Sequence, residues 1–189
     1  MDPISMIESR RSVSKLVDPA PGPEALARAF QAAVSAPDHK RLRPWRFLVI
    51  DGDARARFGQ LMATALRQRE PHAPPELVEK ESQKPLRAPL IIVVVAKIQP
   101  DVPGAPPVEQ TLAAGAATQN LLLALHAQGY GAAWKTGPAA YCPAVKAGLG
   151  LTPHDQIIGF IYAGSIAEPV TAPQPPPHQD FITRWTAAA

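Results

Sequence analysis

Residues 90–97 read Leu-Ile-Ile-Val-Val-Val-Ala-Lys. β-Branched side chains are stiff at χ1 and pack well on a pleated surface, so this run predicts a strand. It shows no alternation of apolar and polar residues, and a strand without a polar face is covered on both sides. Helices must therefore lie above and below it. Leu26, Phe30 and Val34 predict one amphipathic helix over residues 24–35. Phe58, Leu61, Met62, Ala65 and Leu66 predict another over residues 54–69. Short helices are expected over residues 3–9, 76–83 and 143–149, and a long one over residues 108–128. Further strands are expected over residues 45–50, 130–135 and 157–164. Helices and strands interleaved around one sheet give a three-layer α+β fold, a central mixed or antiparallel sheet flanked by helices.

The chain has 189 residues, 46% of them apolar and 19% charged. That is the size of a single domain, residues 1–189, with enough apolar material for a core. Its 23 prolines punctuate it. They fall at Pro19, Pro21 and Pro23, around residues 71–75 and 100–107, and from Pro173 to Pro177 in a Pro-rich C-terminal extension, residues 168–189. A single cysteine, Cys142, excludes an intrachain disulfide and a cysteine-built zinc site. A net charge of +3 is too balanced for a dedicated nucleic-acid binder. The first residues lack the basic segment and apolar core of a signal peptide, and no apolar strand approaches the roughly 20 residues that span a bilayer. A soluble cytoplasmic protein is expected, with neither membrane nor nucleic acid as partner.

The long helix carries no charged residue over residues 110–128. Its first half is rich in alanine and its second in leucine. A helix apolar nearly all round must be buried all round, and a domain of this size has limited material to wrap it. Small residues also let a second helix approach closely. A helix running through a homodimer interface is expected. The alternative is a central core helix of a monomer.

Three segments offer chemistry. Ser9-Arg10-Arg11-Ser12-Val13-Ser14-Lys15 sets three cations and three hydroxyls within seven residues. Arginine forks match the oxygens of a phosphate dianion, although cations at a helix C-terminus are also favoured with no ligand at all. The loop between Pro37 and Pro44 holds Asp38, His39, Lys40, Arg41 and Arg43. Gly129-Tyr130-Gly131-Ala132-Ala133-Trp134-Lys135-Thr136-Gly137 is a small-residue strand that lets a planar group come near the backbone, with a cation and a hydroxyl at its end. No dinucleotide fingerprint, phosphate-binding loop, nucleophile elbow or metalloprotease motif is present. His72, His126, His154 and His178 have no metal-ligand spacing and read as scaffold.

Taken in order, R-R-S-V-S-K at residues 10–15, A-P-D-H-K-x-x-x-P-W-R-F-x-V-I at residues 36–50 and A-A-T-Q-N-L-L-L-A-L-H-A-Q-G-Y-G-A-A-W-K-T-G at residues 116–137 resemble the nitroreductase family, in its minimal-length branch. The resemblance runs from about Ile4 to Gly164. It implies FMN as cofactor, NAD(P)H as reductant, and an obligate homodimer with two flavin sites at the subunit interface. It implies that Arg10, Arg11 and Ser12 contact the flavin phosphate and ribityl chain, with Ser14 or Lys15 near the pyrimidine edge. Ser35, Pro37 and His39 would come from the partner subunit. Trp134, Lys135, Thr136 and Gly137 would line the flavin, and Arg184 in the tail would reach a phosphate. Many relatives carry Ser, Asn and Gln where Asp38, Arg41 and Arg43 stand here, so those substrate-side hydrogen bonds do not transfer.

The implied activity is hydride transfer from NAD(P)H through flavin N5 to a small electron-poor acceptor, a nitroaromatic, quinone or enone, by a ping-pong mechanism. Such chemistry needs no protein nucleophile or catalytic carboxylate pair. A non-catalytic FMN carrier or sensor and a flavin-free interaction protein are the alternatives.

Overall fold

The strand expected at residues 90–97 runs over Leu90–Ala96, and every residue of it is buried. Around it, the computed structural model describes residues 2–170 and 175–185. The elements follow in the order α1 (Pro3–Ser9), β1 (Leu16–Val17), α2 (Pro23–Ala33), β2 (Trp45–Asp51), α3 (Ala54–Arg69), α4 (Pro75–Gln83), β3 (Leu90–Ala96), α5 (Pro107–Ala127), β4 (Gly131–Lys135), α6 (Pro138–Tyr141), α7 (Pro143–Gly148) and β5 (Gln156–Ile166). Short 3-10 turns lie at His39–Arg41, Lys84–Arg87 and His178–Phe181. The two-residue strand β1, the four-residue helix α6 and these turns are too short to leave a periodic signal. Among the described residues, no helix is long and apolar enough to cross a membrane.

Strand β3 pairs antiparallel with β2 on one edge and β5 on the other. β4 and β1 also pair antiparallel with β5, and β1 takes its end at Ser165 and Ile166. Beyond β4 runs the N-terminal segment. It joins by a parallel bridge between Ser12 and Ala132, with Val13 N donating to Ala132 O at 2.9 Å. Strand periodicity splits β3 between two cores. Ile91, Val93 and Val95 pack with Phe58 and Met62 of α3 and Val145 of α7. Leu90, Ile92 and Val94 pack with Ala29 and Ala33 of α2 and Leu121 and Leu125 of α5. Burying each large aliphatic side chain contributes about 1.5–3 kcal/mol.

Polar residues along α5 and at its end are tied to neighbouring segments. Asn120 and Gln128 donate to the carbonyls of Ala32 and Ala25 in α2, both at 3.2 Å. Gln110, only 2% exposed, clamps the preceding loop, accepting from Gln99 N and donating to the carbonyls of Gln99 and Ala105. Gly129 follows the helix end with a φ of 84°, in the left-handed region that glycine adopts without steric cost. Of the expected inner face of α2, Leu26 and Phe30 pack against the core shared with α5, and Val34 does not. Ala29 and Ala33 are buried, whereas Val34 is exposed, because small residues on both helices let α2 sit close on α5.

Burial of α5 within one chain is not complete. Leu112 is 67% exposed and Gly115, Ala116 and Leu123 are only partly covered, so a stripe at helical spacing faces outward. Exposed Ile4 and Ile7 of α1 add apolar surface. Of the expected extension, residues 171–174, which include Pro173, and residues 186–189 lie outside the described residues. Phe181, Ile182 and Trp185 of the tail are exposed.

Helix α4 is seated by Gly59 of α3, where a Cβ would collide with the carbonyl oxygen of Ser82. Gly59→Ala should therefore cost about 1–3 kcal/mol through overpacking. Thermal unfolding should show it as a drop of about 2–4 °C per kcal/mol. An unchanged melting temperature would mean that α3 and α4 are not locked at this point.

Candidate active site

The N-terminal segment passes β4 on its way to β1, and this brings Ser14 beside the end of β4. Ser14, Lys135, Thr136 and Gly137 line one cavity of about 370 Å³. Its floor is Phe160 and Tyr162 of β5, and its far wall is Met62 of α3 with Glu81, Lys84 and Arg87. Alternation along β4 decides which residues enter. Ala133 and Lys135 face this cavity, whereas Ala132 packs in the opposite core with α5. Trp134 is outside the lining and lies over Gly159, donating from Nε1 to Ile158 O at 3.0 Å. Lys15 is also outside it, paired with Glu168 at 2.8 Å.

Glu81, Lys84, Arg87 and Tyr162 were not among the residues expected at the site. Glu81 is buried and ion-paired to Lys84 one helical turn later. The sequence shows only a glutamate with a lysine three residues on, a spacing common on exposed helix faces, and nothing in it marks Glu81 as buried. Burial pushes the Tyr162 phenol up to about 12, with Arg87 opposing the shift. The hydroxyl therefore stays protonated at neutral pH and remains a hydrogen-bond donor.

A second cavity, about 160 Å³, lies on the α5 side of the same edge. Ser9, Arg10 and Arg11 line it with His126 and Tyr130. Arg11 donates from one terminal nitrogen to the carbonyls of Glu8 and Arg10, while its Nε is buried without a hydrogen-bond partner among the described residues. Buried donors are almost always paired, so such an orphan marks a place for an acceptor. Ser12 is exposed beside it, at the bridge to Ala132.

Ser35, Pro37 and His39 stand elsewhere. Pro37 and His39 border an open groove with Leu112 and Ala116 of the outward stripe. His39 Nδ1 meets Glu109 at 2.5 Å, and Lys40 reaches the Pro103 carbonyl. Ser35 caps the end of α2, donating to Ala32 O at 2.7 Å. Lys40, Arg41 and Arg43 all have positive φ, a conformation that costs about 1–3 kcal/mol at a non-glycine residue and concentrates at functional sites. Asp38 helps to hold it by accepting from Arg43 N. Glu109 and His126 lie 17 residues apart on α5 (Glu109 in its first turn, His126 in its last), which is about 25 Å at 1.5 Å per residue. The loop and the arginine cluster are therefore at opposite ends of one helix. Arg184 is exposed in the tail.

Residues 7–165 match the Nitroreductase family. The chain is 36% identical over 190 residues to YdjA of Escherichia coli (strain K12), provisionally named an NAD(P)H nitroreductase, covering 97% of this chain and 99% of that protein. A nitroreductase-like family protein from Bacillus cereus superposes with a TM-score of 0.84 at 24% identity, over 98% of this chain and 96% of that one. A crystal structure from Desulfovibrio desulfuricans, described as a nitroreductase in complex with FMN, superposes with a TM-score of 0.73 at 25% identity, over 98% of both chains.

Gly159 is required by the Trp134 indole, since a Cβ there would meet the ring. Gly159→Ala should displace the ring, break its bond to Ile158 and shift the tryptophan emission. In a Trp134→Phe background the same substitution should leave the emission unchanged. A shift that persists without Trp134 would place the disturbance elsewhere.

Proposed function

Because the chain belongs to the nitroreductase family, we propose that it is an oxidoreductase that holds FMN and uses NAD(P)H to reduce a small electron-poor acceptor, a nitroaromatic, quinone or enone. The observation that carries this reading is the pair of adjoining sites along β4, a cavity with cations and a neutral phenol on one side and an arginine cluster on the other. The name of the Escherichia coli relative and the FMN in the Desulfovibrio structure support it.

The residues fit such a cofactor. The orphaned Arg11 Nε and the Arg10 guanidinium suit a phosphate. Lys84, Lys135, Thr136 and Ser14 offer charge and hydrogen bonds to a planar heterocycle, and Tyr162 adds a donor that does not ionise. When bound, FMN supplies the redox chemistry, taking a hydride from the nicotinamide and giving it to the acceptor in ping-pong order. The protein binds and orients it, and its cations favour negative charge within a partly desolvated cavity. We read residues 1–189 as one such domain in the cytoplasm, with residues 168–189 as its extension.

Ser35, Pro37 and His39 enter this reading through a second copy. A two-fold axis across the outward stripe of α5 sets the first turn of one helix beside the last turn of the other. The strained loop of one chain then approaches the arginine cluster of its partner. That arrangement covers Leu112 and accounts for a helix with no charged residue from Gln110 to its end.

The purified protein should be yellow, bleach under anaerobic NADH or NADPH, and recover its colour with a nitroaromatic or a quinone. Yellow protein that does not bleach is a carrier, and protein that takes up no FMN removes the reading. Sedimentation at micromolar concentration should give twice the 20.2 kDa chain mass, with an interface above about 2,000 Å² as in obligate homodimers. A monomer that still binds FMN would exclude a site shared between subunits.

A further inference from the structure

His126 stands in the last turn of α5, half-buried, and shares a 3.0 Å hydrogen bond between its Nε2 and Ser9 Oγ. It opens on the same small cavity as Arg10 and Arg11. These arginines are the charged groups that face it, from the end of α1. Among the described residues, Tyr130 is the other titratable group of that lining, α5 carries no charge from Gln110 onward, and the end of β5 with the residues after it contributes Ile166, Pro169 and Val170 there. A helix C-terminus ordinarily favours a protonated histidine. Here burial, followed by the charges of Arg10 and Arg11, holds the imidazole below its usual value, so without a ligand it is neutral at neutral pH. Among the described residues, two arginines, one with an orphaned buried donor, and a histidine converge with no carboxylate on a space of about 160 Å³. Such a set is incomplete until an anion enters.

We propose that His126 is the third cationic group of a phosphate site, and that a phosphate monoester bound against Arg10 and Arg11 brings a proton from solvent onto the His126 imidazole. This rests on the flavin reading, since the monoester is the phosphate end of FMN. The bound dianion offsets the two arginines and reverses the balance at the imidazole. FMN binding is then coupled to proton uptake, and riboflavin, which lacks the phosphate, binds without it. The linkage differs between the two states. Without ligand, the folded chain binds fewer protons than the unfolded chain just below about pH 6.5, so stability falls as pH drops through that range. With FMN bound, His126 holds its proton there and the loss is removed.

The test is titration of the apoprotein with FMN and with riboflavin between about pH 5.5 and pH 8, in wild type and His126→Gln. Phosphate ionisation of FMN itself is common to both proteins and cancels in their ratio. The advantage of wild type over His126→Gln for FMN should grow about tenfold for each unit by which phosphate raises the imidazole, while the riboflavin ratio stays flat. If His126→Gln does not fold, calorimetry of wild type in buffers of different ionisation enthalpy decides: after correction for the ionisation of the FMN phosphate at about pH 6, proton uptake is expected for FMN and none for riboflavin. FMN binding with a pH-independent ratio, or with no extra proton taken up, would overturn this inference and leave the flavin reading intact. No FMN binding at all would overturn both.

Discussion

Burial of β3 on both faces is the constraint from which the architecture follows. A strand whose alternate residues all leave water needs a layer on each side, and the chain supplies them with α3 and α7 on one face and α2 and α5 on the other. β5 continues the constraint, since it is paired along both edges and must carry glycine where neighbours press close. Gly159 beneath Trp134 and Gly164 beside Pro89 are such places. β4 leaves an edge of the sheet open, and the N-terminal residues run along it. That puts Ser14 beside Lys135 and Thr136 on one side of β4 and Arg10 and Arg11 on the other.

Helix α5 does two things that compete. Its alanines and leucines complete the core under β3, and its outward stripe leaves Leu112 in water. An isolated chain gains nothing from an exposed leucine on this helix. The stripe also links the two halves of the candidate site, with the strained loop of Pro37 and His39 at its beginning and the arginine cluster at its end. One helix therefore sets the spacing of functional groups that one chain cannot bring together.

Charge is distributed to suit the two sides of β4. On the α3 side, Glu81 offsets Lys84 while Arg87 and Lys135 remain as cations beside the Tyr162 phenol, so the cavity offers donors and excess positive charge. On the α5 side, among the described residues, arginine, arginine and histidine line the cavity with no carboxylate. The first arrangement suits a planar ring that gains negative charge and the second an anion.

Much of this was legible in the chain itself. The unalternating run of β3, the periodicity of α3, whose expected bounds coincide with Ala54–Arg69, and the proline and glycine punctuation depend on local chemistry, and local chemistry is written in order. The arginine, serine and lysine motifs were visible for the same reason. What tertiary structure decided was facing and company. Alternation on β4 sends Lys135 into the cavity and Trp134 to the other side, and Lys15 is drawn to Glu168, 153 residues away. Glu81, Lys84 and Tyr162 became part of a site only because α4 and β5 deliver them to the end of β4, and His126 gained meaning only beside Arg10 and Arg11. Spacing along a chain carries the period of a helix or strand, but contact between distant segments depends on how the layers pack, and no local pattern records that.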